Sequence, residues 1–184
     1  IRQVGINPTR TGLLEVMTRM GADIQLLNRR EEAGEPVADI RVKSARLRGV
    51  AIGPDLIPQT IDEFPILCVA AAVAEGETII SGAEELRVKE SDRIATVSAE
   101  LRAMGAQITE KPDGMVVRGL GTTADNGRLQ AARGRSHGDH RVAMSLAIAG
   151  LTASAPTLID ETACIETSFP AFHHTLLELL TERR

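Results

Sequence analysis

Two periodicities alternate along the chain. Ile94, Val97, Leu101 and Met104 recur at the spacing of one helix face, and Gly105 follows at the place where a helix stops. An earlier run resembles this one: LEVMTRMGADI from Leu14 to Ile24 matches SAELRAMGAQI from Ser98 to Ile108, so that Met104 falls 84 residues after Met20. Both read as an amphipathic helix, a glycine stop and then a strand. Ala-rich helical stretches at 63–75 and 140–153 form a second pair, leading into short β-branched runs at 77–81 and 156–160, with Thr157 79 residues after Thr78. Further strands are predicted at 39–42, 46–52 and 115–119, with Arg46 and Arg48 on the outer face of theirs and Met17 and Met20 in the core. The order strand, helix, strand, helix, strand, strand, repeated, predicts an α/β fold of βαβαββ units forming one domain over residues 1–184. Gly and Pro at 34–36, 53–58 and 119–127 mark loops rather than interdomain linkers.

Composition narrows the partners. Apolar residues make up 43% of the 184 positions, enough for a substantial core. A net charge of −4, with no Tyr, no Trp and three Phe, gives nucleic acid neither a basic field nor stacking platforms. No apolar run approaches the ~20 residues of a membrane-spanning helix. Cys68 and Cys164 lie far apart among apolar neighbours and read as buried thiols in a reducing, cytoplasmic compartment. His137-Gly138-Asp139-His140 has no third ligand at metal-binding spacing, and His173-His174 reads as a surface pair. Gly119-Leu120-Gly121 and the turn near Gly127 lack the strand-to-helix context of a dinucleotide site. The chain opens on Ile, and Ile1-Arg2-Gln3-Val4 reads as a strand already under way, so a longer polypeptide is expected.

The distribution of charge changes the picture more than its total. ELRVKESDR, Glu85 to Arg93, packs six ionisable side chains into nine residues between a strand and a helix. Ser91 reads as the N-cap of that helix, with Asp92 and Arg93 in its first turn and Lys89 and Glu90 at its mouth. A helix mouth attracts anions, and Lys89 and Arg93 strengthen the attraction. Glu90 weakens it, which suits a site needing an anion clamp and a proton carrier together. Three other helix starts also set a cap residue beside a charged or reactive one, namely Asp62 before Pro65, Gly138-Asp139-His140-Arg141, and Thr167-Ser168-Phe169-Pro170. Capping alone explains any one of them. Four together, with Lys89, Arg93 and Arg141 alongside, point to a small polyanionic substrate handled by acid and base chemistry.

These residues carry a family resemblance. IDEFPIL from Ile61, EELRVKESDR from Glu84, DHRVAM from Asp139, TSFP from Thr167 and NPTRTG from Asn7 resemble the carboxy-terminal half of the 5-enolpyruvylshikimate-3-phosphate synthase family, nearly end to end. The related UDP-N-acetylglucosamine enolpyruvyl transferases lack the charged nonamer and keep their reactive cysteine in the other half, where neither Cys68 nor Cys164 fits. The resemblance implies two similar domains of three α/β units each, a cleft between them, and transfer of the enolpyruvyl group of phosphoenolpyruvate to the 5-hydroxyl of shikimate 3-phosphate, with release of phosphate. It implies no metal or organic cofactor. By motif, Asp62 resembles the carboxylate that contacts the ring hydroxyls and accepts the attacking hydroxyl's proton, and Glu90 the group that protonates the methylene carbon. Glu85 and Lys89 resemble contacts to shikimate 3-phosphate, Arg93 and Arg141 clamps on phosphoenolpyruvate, and His140 a support beside that clamp. Some members place a lysine where Thr167 stands, so that contact is expected to be absent here or supplied elsewhere. The domain that holds the phosphate of shikimate 3-phosphate is absent, so this chain alone is expected to be inactive. A non-catalytic anion- or partner-binding module of the same fold is the competing reading, separated from the first by whether the reading frame upstream of Ile1 encodes a second domain.

Overall fold

The computed structural model describes residues 1–121 and 127–181. The first segment runs from strand β1 (Val4–Gly5) through a 3-10 turn at Pro8–Arg10 and helix α1 (Gly12–Arg19) to strands β2 (Asp23–Glu32) and β3 (Glu35–Lys43). Next come β4 (Ala51–Ile52), the single turn α2 (Ile57–Thr60), α3 (Phe64–Val73), β5 (Glu77–Ile80), a 3-10 turn at Glu84–Val88, α4 (Arg93–Ala103), β6 (Gln107–Lys111) and β7 (Gly114–Arg118). The last segment holds β8 (Arg133–Arg135), α5 (His140–Gly150), β9 (Leu158–Asp160), a 3-10 helix at Thr162–Thr167 and α6 (Phe172–Thr181).

The predicted repeats are visible in the pairing. β1-β3-β2 and β5-β7-β6 have the same order and are antiparallel throughout, while β4 runs parallel to β5 as β8 does to β9. β4 to β7 is therefore a complete βαβαββ unit, preceded by the latter part of one unit and followed by the opening part of another. The stops of α1 and α4 match too: Gly21 and Gly105 take φ of +91° and +84°, a left-handed backbone that a residue with a Cβ adopts only under strain. Ile1 exchanges both backbone hydrogen bonds with Ile40, extending the β1 pairing toward the start of the chain.

The core explains why α3 shows almost no amphipathic period. Phe64, Leu67, Cys68, Val69, Ala71 and Ala72 are all buried, and the helix packs against α4, α5 and β7, so most of its circumference meets protein and only the side of Ile66, Ala70 and Val73 is half-buried. Its alanines let the neighbouring helices approach closely. α5 and α4 bury one face each, Val142, Leu146 and Ala149 on α5 and Ile94, Val97 and Leu101 on α4. Met20 is buried, Met17 packs at the edge of the core, and Arg46 and Arg48 are exposed.

Some expectations need correction. The strand expected at 46–52 is shorter: Arg48 forms a lone bridge to Glu75, and regular pairing begins only at Ala51. Ser91 is not the N-cap of α4. Asp92 is, its carboxylate accepting the N–H of Ala95 at 3.0 Å. Nor does Asp62 cap α3, whose cap position is Glu63 without a side-chain bond. Thr167-Ser168-Phe169-Pro170 ends a 3-10 helix rather than opening α6, which begins at Phe172. Cys68 is buried, and burial pushes its thiol up, but Cys164 is only half-buried on the 3-10 helix. Of the predicted loop at 119–127, residues 122–126 lie outside the described residues. Among the described residues no helix is long and apolar enough to cross a membrane.

Candidate active site

Three helices start at one edge of the fold. α4 follows β5 through the 3-10 turn, α5 follows β8 directly, and α3 begins within reach of both. Strand order in such units gathers helix starts beyond the carboxyl ends of the strands, where ligands of α/β proteins bind. Here that edge collects Arg93, Asp139, Arg141, Asp62, Glu90 and Arg10.

Arg93 sits at the centre. Its side chain is 1% exposed, an unusual burial for a charge, and depends on partners. Nε donates to Asp139 Oδ2 at 2.8 Å and Nη2 to Glu90 Oε2 at 2.6 Å. Nη1 has no hydrogen-bond partner among the described residues, with Asp62 Oδ1 at 3.8 Å. Asp139 is fully buried and does two jobs: Oδ1 caps α5 by accepting the N–H of Arg141 at 2.9 Å, while Oδ2 takes Arg93 and the hydroxyl of Ser91 at 3.2 Å. Burial pushes the Asp139 carboxyl up, but the hydrogen bond and charge of Arg93, with the N–H groups of Arg141 and Val142, outweigh it and hold the group below its ordinary value.

Asp62 is the second focus. It is 26% exposed and faces three guanidinium groups: Arg141 Nη2 at 3.1 Å, Arg10 Nη2 at 3.2 Å and, farther off, Arg93. Arg141 also donates from Nη1 to the backbone oxygen of Asp62 at 3.1 Å, tying the start of α5 to the start of α3. A hollow of about 280 Å³ opens beside Asp62 and Arg141, walled by Ile66, Met144, Ile148, Phe169 and Phe172. Phe169 thereby brings the Thr167-Ser168-Phe169-Pro170 stretch to the edge of the site, while the Thr167 hydroxyl turns back to Cys164 O at 2.8 Å. A larger hollow of about 510 Å³ between α1 and β2 is lined by none of Asp62, Glu90, Arg93 and Arg141, and its Glu15 and Arg19 are paired with each other. Volume alone is a poor guide here, and the convergence of charges marks the site.

Of the residues singled out in the sequence, the structure brings Asp62, Glu90, Arg93 and Arg141 into one network. Glu85 and Lys89 stay outside it. They lie on and just after the 3-10 turn, exposed, with no side-chain hydrogen bond or ion pair among the described residues. His140 is the first residue of α5 and is partly exposed. Four participants were missed. Asp139 was read only as a helix opener, although a cap next to a basic residue was a signal that it could pair. Arg10 stood in a quoted motif without a role, and Ser91 was given to capping rather than to Asp139. Arg87 proves structural: it reaches the carbonyls of Pro112 and Lys111 at 2.6 Å each, Glu110 at 3.0 Å and Asp92 at 2.9 Å, pinning the charged stretch onto the β6–β7 hairpin.

The family described as EPSP synthase (3-phosphoshikimate 1-carboxyvinyltransferase) matches residues 1–176. The chain belongs to the EPSP synthase family. It is 55% identical over 172 residues to 3-phosphoshikimate 1-carboxyvinyltransferase of Geobacter sulfurreducens, covering 94% of this chain and 39% of the relative. The enzyme of the same name from a Synechococcus is 54% identical over 180 residues, covering 98% of this chain and again 39% of the relative. Among solved structures, EPSP synthase from Acinetobacter baumannii superposes with a TM-score of 0.88 at 46% identity, over 93% of this chain and 39% of that one. The enolpyruvyl transferase NikO of Streptomyces tendae, at 19% identity and a TM-score of 0.65 over 92% of this chain and 35% of that one, shares the fold. The chain therefore spans about two-fifths of the length of the curated relatives it matches.

Proposed function

We propose that this chain is the carboxy-terminal domain of a two-domain 3-phosphoshikimate 1-carboxyvinyltransferase and supplies one wall of its active site. The observation that carries the reading is Arg93: a buried guanidinium held by two carboxylates, yet with Nη1 unbonded at an edge where Arg10 and Arg141 also converge. A buried donor without a partner is expensive, and an anionic ligand satisfies it. The substrates would be phosphoenolpyruvate and shikimate 3-phosphate, in the cytoplasm, with the missing domain as the second wall.

The geometry supports a division of roles. Phosphoenolpyruvate is held between Arg93 and Arg141, its anionic groups taking places on Arg93 that Glu90 and the free Nη1 now share. Displaced from Nη2, Glu90 is free to carry a proton. The 5-hydroxyl oxygen of shikimate 3-phosphate attacks C2 of the enol phosphate, its proton passes to Asp62, and Glu90 delivers a proton to C3, turning the methylene into a methyl group. The C2–O bond to phosphate then breaks, phosphate leaves with the bonding pair and takes up the proton held by Asp62, and Glu90 takes a proton back from the methyl group, restoring the double bond. Glu85 and Lys89, outside the network and exposed, are available to shikimate 3-phosphate. Arg10 and Arg141 hold Asp62 in place for the ring hydroxyl. His140 stands beside the clamp at the start of α5.

The test is phosphate release from the two substrates by the full-length protein. Turnover is expected there and none from these 184 residues alone, because holding both substrates in reacting geometry requires both walls. A full-length protein that binds phosphoenolpyruvate without releasing phosphate would mark a non-catalytic module instead.

A further inference from the structure

We propose that Glu100 and His137 are positioning residues that hold Arg93 and Arg141 in register, an inference that rests on the enzymatic reading above. Glu100 lies on α4 about two turns beyond Arg93. Its side chain is only 12% exposed and is committed twice. Oε2 accepts the backbone N–H of Arg135 at 3.0 Å, and Oε1 meets His137 Nε2 at 2.9 Å. Arg135 ends β8 and His137 lies in the connection from β8 to α5, the segment that delivers Asp139 and Arg141. α4 therefore grips this connection at two points, through Arg93 and Asp139 at its first turn and through Glu100 farther along. One attachment leaves a segment free to pivot, whereas two separated attachments fix its orientation.

The connection needs that second grip. His137 and Gly138 take successive φ values of +54° and +75°, a left-handed path that glycine adopts freely and histidine under strain. Such a conformation persists when its surroundings over-determine it. Ser136 supplies part of this: it is buried, its hydroxyl donates to Glu161 O at 2.8 Å and accepts the N–H of Gly138 at 3.1 Å, and its carbonyl accepts the N–H of Asp139 at 3.0 Å. The Glu100–His137 contact supplies the rest. The guanidinium of Arg135 is taken by Glu161 and does not compete for Glu100. With Glu100 removed, the left-handed path relaxes, Asp139 shifts at the start of α5, and the two cations lose their mutual spacing without either being touched.

The experiment is steady-state kinetics of the full-length enzyme with each substrate varied in turn. Glu100→Ala is expected to raise KM for phosphoenolpyruvate about tenfold while KM for shikimate 3-phosphate stays within about twofold, since Glu85 and Lys89 lie off this connection and Arg10 still holds Asp62 when Arg141 shifts. Glu100→Gln, which keeps an acceptor for Arg135 and a polar partner for His137, stays within about threefold of wild type. Adding His137→Gly to Glu100→Ala relieves the left-handed strain and recovers part of the loss. A purely structural role would instead raise both KM values alike, and that result, or an unchanged KM for phosphoenolpyruvate, overturns the inference. His137→Ala, at a side chain 42% exposed, gives a smaller rise of the same selectivity and carries the test if Glu100→Ala does not fold. Wild-type protein without turnover overturns the enzymatic reading and this inference together, whereas wild-type turnover with unaffected Glu100→Ala and His137→Ala overturns this inference alone.

Discussion

Asp62 stands just before α3 and Asp139 just before α5, the Ala-rich helices of successive units, and their surroundings differ in every respect that matters chemically. Asp139 is fully buried, caps its helix, and spends its second oxygen on Arg93 and Ser91. Asp62 caps nothing, is 26% exposed, and faces guanidinium groups from three parts of the chain. The difference teaches that a repeat can place a carboxylate at the same kind of position twice, build one into the scaffold and leave the other open among cations, where we propose that it serves the chemistry. What decides is which groups the rest of the fold brings up to each.

The largest expected effect separates the two by activity. On the proposed roles, Asp62→Asn in the full-length protein should lower kcat by roughly 10²–10⁴-fold, the usual contribution of a positioned acid or base, and Glu90→Gln should fall in the same range. Substrate binding should change far less. Near-normal kcat in Glu90→Gln would remove Glu90 from the proton transfer and leave it as a partner of Arg93 alone.

Next in size is a stability effect on the other aspartate. Asp139→Ala leaves the Arg93 guanidinium buried without its one fully buried carboxylate partner and removes the cap of α5, so a loss of about 3–5 kcal/mol is expected, read from denaturant or thermal unfolding. Asp139→Asn keeps a capping oxygen and should lose less. If Asp62→Asn destabilises as much as Asp139→Ala, the assignment of one residue to scaffold and the other to chemistry fails.

The pH dependence of stability sharpens the contrast. The carboxyl of Asp139 is held below the ordinary Asp value of about 3.9. Its contribution is therefore complete above that value and is lost as pH falls through the lower, folded-state value. Acid unfolding of the wild type should show this loss below about pH 4, and Asp139→Asn should flatten that part of the curve. An identical acid limb in both proteins would mean that the Arg93 pairing contributes no pH-linked stability.

The sequence showed most of what is local and little of what is not. The matched helices with glycine stops at Gly21 and Gly105 were legible because amphipathic period and C′ glycine are short-range signals. The convergence of Asp62, Glu90, Arg93 and Arg141 was legible through helix starts and family motifs. The N-cap of α4 was misplaced by one residue because Ser91 and Asp92 are both good caps, and the choice was made by Asp139, 48 residues away, which takes the Ser91 hydroxyl. Arg10 escaped notice for the same reason, its partner Asp62 being 52 residues distant. The strand expected at 46–52 was too long because its pairing is set by Glu75 and β5, which its own alternation cannot reveal.

The smallest expected effect tests whether burial or distance governs these ion pairs. Arg118 reaches Glu77 with an N···O distance of 2.8 Å, the same as Arg93 to Asp139, but the Arg118 and Glu77 side chains are 65% and 46% exposed. In water the attraction is screened, the side chains lose rotamer freedom to hold one geometry, and either charge is solvated again when its partner is removed. Glu77→Gln should therefore change unfolding free energy by no more than about 0.5 kcal/mol, with the residual effect falling further as salt is raised. Asp139→Ala should keep most of its effect at the same salt, since a buried pair is screened far less. Equal losses from the two substitutions would show that contact distance, not the exclusion of water around Arg93, sets the strength of this network.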